Sequence, residues 1–142
     1  MKELCIIFLL PLFISDNMFD NSHEKQRAIA CPHEYDSLAK MIVYTYVDKE
    51  PEYPGGSPEL MKFIAKNFHY PNQDDFQGSF QIQFVVNKQG SIIAARIKGK
   101  KQSDLTLAEK ELLKVVCKMP KWKSGRCRDR LVPVKITLPV YL

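Results

Sequence analysis

Four cysteines, three histidines and one pair of adjacent carboxylates are the side chains in this sequence whose types could do chemistry. A thiol beside an imidazole makes a nucleophile, and both ligate zinc when their spacing closes a tetrahedron. Here Cys5, Cys31, Cys117 and Cys127 contain no C-x-x-C, and His23, His33 and His69 are scattered. No metal site is expected. Asp74 and Asp75 have no companion carboxylate at a marked spacing, so no general acid and base pair emerges. A Ser-centred nucleophile elbow and a Gly-rich phosphate loop are also missing. The expectation is a chain that is not an enzyme and needs no cofactor. What the thiols can do is pair. Cys117 and Cys127 flank one loop and form the preferred disulfide, with Cys31 left over. Unpaired thiols are the alternative.

Charge is the second chemistry on offer. The chain carries 21 Lys and Arg against 16 Asp and Glu, a net +5. The spread is uneven: Asp16–Glu59 holds 9 acids and 4 bases, whereas Arg96–Arg130 holds 12 bases and 4 acids. Lys98, Lys100, Lys101, Lys121, Lys123, Arg126 and Arg128 form a candidate basic face. Such a face attracts phosphates, anionic headgroups or acidic proteins. The bland reading is a solvated surface. Trp122 lies in this stretch. An indole there can stack a base, or pack on the core edge with its N–H on a carbonyl, which is commoner.

The elements that must position these groups come next. A length of 142 residues with 45% apolar and 26% charged content fits one globular domain. Leu4–Ile14 is a run of 11 uncharged residues after Lys2. A spanning helix needs about 20, so the run reads as the core of a secretory signal over residues 1–17. Residues 18–37 read as a polar leader and 38–142 as the domain. The expected location is the periplasm. A retained anchor through residues 4–14 and lipidation of Cys31 are the alternatives.

Within the domain, Leu38–Val47 is β-branched and aromatic and reads as a strand. Ser57 as cap, Pro58 and Glu59 open a helix whose apolar face is Leu60, Phe63, Ile64 and Phe68. Tyr70-Pro71 ends it. Phe80, Ile82, Phe84 and Val86 alternate with Gln81, Gln83 and Val85, a strand with one buried face. Asn87–Gly90 is a hairpin turn, and Ser91–Lys98 returns with Ile93, Ala95 and Ile97 inward. Thr106–Glu109 is a capping box for a second helix, with Ala108, Leu112, Val115, Val116 and Met119 as its stripe. The fold class expected is α+β: an antiparallel three- to four-stranded sheet with two helices packed on it, in β-α-β-β-α-β order.

The final segment, Leu131–Leu142, alternates strictly, and Pro133 and Pro139 share one parity. Backbone N–H groups two residues apart point to the same side of a strand, so both missing donors lie on one edge. That edge is expected to be open, with Lys135 and Thr137 between the prolines. An extended peptide could add there as a further strand. Proline and Lys135 blunting the edge against aggregation is the competing reading.

Taken together, Glu52-Tyr53-Pro54-Gly55-Gly56, Tyr70-Pro71, Gly78-Ser79-Phe80 with Phe84-Val85-Val86 and Gly90, Met119-Pro120-Lys121-Trp122-Lys123, Val132-Pro133-Val134-Lys135 and Leu138-Pro139 resemble the TonB C-terminal domain family. The likeness covers Asp48–Leu142 and is to the short, exported, Bacteroides-type form of the energy transducer. It implies a small α+β fold, a periplasmic role in TonB-dependent transport, and a grip on the TonB box of outer-membrane transporters by β-augmentation on the last strand. The contact residues it implies are Val134, Lys135, Ile136, Thr137 and Leu138. A full transducer also has an inner-membrane helix and a long Pro-rich spacer. Here fewer than 40 residues separate Ile14 from Asp48, so coupling to inner-membrane motor proteins is not expected. The alternative is an exported adaptor of the same fold without energy coupling, binding another periplasmic partner or an acidic ligand. A homodimer through the last strand follows the same edge physics. An export signal argues against a nucleic-acid partner.

Overall fold

Alternating apolar residues build the centre of the molecule. The structure, a computed structural model, describes residues 31–71 and 78–141. The signal expected over 1–17 and the Asp74-Asp75 pair lie outside the described residues. Strands β1 (His33–Asp36) and β2 (Met41–Tyr44) form an antiparallel hairpin. Helix α1 (Ser57–Asn67), strands β3 (Ser79–Val86) and β4 (Ile92–Ile97), and helix α2 (Leu107–Cys117) follow. The short pair β5 (Arg126–Cys127) and β6 (Arg130–Leu131) precedes the last strand, β7 (Val134–Tyr141).

The fold is α+β, with a five-stranded sheet in the order β1-β2-β7-β3-β4 and a separate β5-β6 pair. β3 is its spine, antiparallel to β4 on one side and to all of β7 on the other. Phe80, Ile82, Phe84 and Val86 stand opposite Val140, Leu138, Ile136 and Val134, so one face of the pair is continuously apolar. Leu60 and Ile64 of α1 and Leu112 and Val116 of α2 join Phe80, Ile82 and Phe84 in the same buried core.

The sheet is larger than expected and it is mixed. The added strand is β1, from residues read as leader, and β2 joins β7 in parallel through one bridge, Tyr44 opposite Val134. The disulfide is Cys31–Cys127, not Cys117–Cys127, and Cys117 is a free, exposed thiol. Proximity in sequence misled here because the fold brings the segment just before β1 onto β5, while Cys117 ends an 11-residue helix with its thiol exposed. The partner of Cys127 lies 96 residues earlier.

Two local details also differ from the sequence reading. The β3–β4 register slips between Gln83 and Val85, and Ala94 takes a φ of 53°. This bulge puts Ile92 opposite Val86 on the core face and Ile93 opposite Val85 on the other. At the start of α1, Gly56 with φ 85° is the N-cap and Ser57 makes no side-chain cap. The capping box of α2 is present: Glu109 N–H donates to Thr106 Oγ1, and Thr106 N–H donates to the Glu109 carboxylate.

Candidate functional site

The two prolines fix the hydrogen-bonding sides of β7. Pro139 stands opposite Gln81 and cannot donate, so Gln81–Pro139, Gln83–Thr137 and Val85–Lys135 are the pairs that exchange no ladder bonds. The Gln81 carbonyl accordingly accepts from Lys98 N–H, on the β4 side. The backbone groups of Lys135, Thr137 and Pro139 therefore point away from β3, to the second edge of β7.

The last strand is not an outermost strand of the sheet, contrary to expectation, because β2 lies beyond it. β2 covers only the beginning of that second edge. Tyr44 N–H donates to the Pro133 carbonyl at 2.8 Å, and the strand pairing stops at Val134. The chain after Tyr44 turns off, with Thr45 N–H donating to the Pro32 carbonyl. Among the described residues no strand pairs the second edge beyond Val134. The side chains there are amphipathic. Ile136 and Leu138 are half-buried on the helix side, whereas Thr137, Pro139 and Tyr141 are exposed on the other.

A buried ion cluster anchors the hairpin that partly covers the edge. Asp36, at the end of β1, is 1% exposed. Its carboxylate accepts from Arg96 of β4 at 2.6 and 2.7 Å and from the Leu38 and Ala39 N–H groups. Lys135 Nζ lies 2.8 Å from Asp36 and also bonds Glu34. Burial pushes the Asp36 carboxyl up, but the hydrogen bonds from Arg96 and Lys135 outweigh it and hold the group far below the usual carboxylate range. Burial likewise works against the Lys135 cation, and Asp36 and Glu34 reverse that, raising its pKa. Of the five contact residues implied by the resemblance, Val134 is buried and bridged to Tyr44, and Lys135 has its ammonium committed to Glu34 and Asp36. Ile136, Thr137 and Leu138 are left beside the uncovered edge.

The expected basic face is not one surface. Lys98, Lys100 and Lys101 lie in the loop after β4, where Lys100 is paired with the buried Glu109. Lys121, Lys123, Arg126 and Arg128 lie around β5, among acids from Asp48–Glu52. The Arg128 backbone N–H donates to the Asp48 carboxylate, Glu52 and Lys123 are joined by a backbone bridge, and Arg126 shares a cleft with Glu50 and Glu52. Parts of the acidic and basic halves of the sequence thus meet in space. Trp122 is 7% exposed, edge-on to Tyr53 and Phe84 at 5.7 and 5.4 Å. It is a core residue, as the commoner reading held. Its indole N–H, expected on a carbonyl, has no hydrogen-bond partner among the described residues.

Sequence reasoning missed Asp36, because a lone acid before a strand carries no pattern. It also missed Tyr44 as the residue that bridges the β7 edge. Among the described residues, Cys31, Asp48 and Cys127 bring possible metal-ligand atoms within 4.8 Å, but the two sulfurs are bonded to each other. No protein family, no curated protein and no solved structure matches the chain.

Proposed function

We propose that this chain is an exported binding module of TonB type, not an enzyme, that grips an extended segment of an outer-membrane transporter by strand addition to β7. The observation that carries the reading is the second edge of β7, paired at Tyr44–Val134 and by no described strand beyond it. Strand addition needs unpaired backbone groups with apolar side chains beside them. Thr137 supplies a donor, Lys135, Thr137 and Pro139 supply acceptors, and Ile136 and Leu138 supply the apolar contact. Pro139 removes a donor at the far end, so an incoming strand has a short, defined register. The Cys31–Cys127 disulfide supports an oxidising compartment such as the periplasm. The second reading, an adaptor of the same fold for another periplasmic partner, uses the same edge.

Replacing Thr137 by Pro tests this. Its N–H points away from β3, so the β3–β7 ladder keeps every bond, while the central donor of the open edge is lost. Isothermal titration with a synthetic TonB-box peptide is expected to give binding to the wild type and at least tenfold weaker binding to Thr137→Pro. Equal affinities would refute strand addition at this edge. No binding of that peptide, with the edge accepting other extended peptides, would favour the adaptor.

A further inference from the structure

A cleft of about 580 Å³ runs along α2 beside β4, far in kind from the proline-bounded edge. Ala95 and Leu113 are its apolar lining, and Lys110, Lys114, Lys118 and Cys117 also line it. Lys110 and Lys114 of α2 and Lys118 at its C-cap stand at i, i+4 and i+8, rising about 6 Å from each to the next. Lys114 is held by Glu111 at 2.8 Å. Among the described residues no ion pair holds Lys110 or Lys118. The cleft beside β5 mixes Lys49, Lys123 and Arg126 with Glu50 and Glu52, whereas the cleft along α2 is lined by three lysines and, among the described residues, no carboxylate.

From the spacing and the charge we infer that the cleft binds an extended acidic peptide whose carboxylates fall at alternate positions. Same-side residues of an extended chain lie about 6.6–6.8 Å apart. Successive carboxylates on one side of such a peptide match successive lysines of α2. The residues between them point away from α2, and Ala95 of β4 is the apolar residue that lines the cleft opposite the helix. Adjacent acids in a cluster would point to opposite sides, and half of them would miss the lysines. This site shares no residue with the β7 edge.

Fluorescence anisotropy of the full chain with a labelled Asp-Val-Asp-Val-Asp peptide tests it, against a peptide of the same composition ordered Asp-Asp-Asp-Val-Val. The alternating peptide is expected to bind at least tenfold more tightly. The double substitution Lys110→Glu with Lys118→Glu is expected to remove that binding, and both positions are exposed, so the fold is expected to survive at a small cost in stability from an acid at the C-cap of α2. Bound peptide should also slow alkylation of Cys117, the free thiol at the site. Thr137→Pro should leave all of this unchanged, which separates the cleft from the β7 edge. Equal binding of the two peptides, equal competition by polyphosphate or a single-stranded oligonucleotide, or no effect of the double substitution would overturn the proposal.

Discussion

Asp36 shows what one side chain can hold. It is a buried carboxylate whose partners come from β4 and β7, and it fastens the β1–β2 hairpin to the sheet. Removing one member of such a cluster leaves uncompensated buried charge, so Asp36→Asn should cost about 3 kcal/mol in urea unfolding. The pH dependence has a definite sign. The folded pKa of Asp36 is depressed, so its contribution is complete above the ordinary carboxylate value near 4 and fades as pH falls below it. The stability gap between wild type and Asp36→Asn should therefore narrow under acid. Gly90 is a second decisive residue. It has a φ of 81°, and a Cβ there would lie 2.0 Å from the Trp122 carbonyl. Gly90→Ala should lower stability by more than about 1 kcal/mol in the same assay. The need for Gly90 was legible in the hairpin turn. The clash with Trp122 was not, because it joins positions that only the fold brings together.

Among the elements, β3, β4, α1 and α2 were legible because their apolar spacing is strong and their ends carry caps, prolines or a turn. β1 was not, because four mostly exposed residues of a polar stretch owe their extended form to pairing with β2. The inward assignment of Ile93 failed at the Ala94 bulge, which shifts parity without a glycine or proline to mark it. The disulfide ties the segment just before β1 to β5 across 96 residues, and closing so long a loop restricts the unfolded chain. Reduction, or Cys31→Ser with Cys127→Ser, should cost about 2–4 kcal/mol. Cys117→Ser should cost far less, because that side chain is exposed. Thiol titration of the native protein should find Cys117 reactive and the Cys31–Cys127 pair silent.

At the scale of the whole molecule, the charge asymmetry along the sequence becomes contact between its halves. The segment Asp48–Glu52 meets the bases around β5, and Glu34 and Asp36 meet Lys135 and Arg96. Linear charge counts could not show this, because they ignore which segments fold against each other. The proline parity of β7 did carry through to the structure, and it fixes which side of the strand faces away from β3. The strand addition proposed for that side is tested most directly by backbone amide NMR of the protein titrated with a TonB-box peptide. The expected result is a set of shifts centred on Ile136, Thr137 and Leu138, with the Thr137 amide becoming protected from solvent exchange. A Thr137 amide already protected in the free protein, with no shift along β7 at millimolar peptide, would contradict the account.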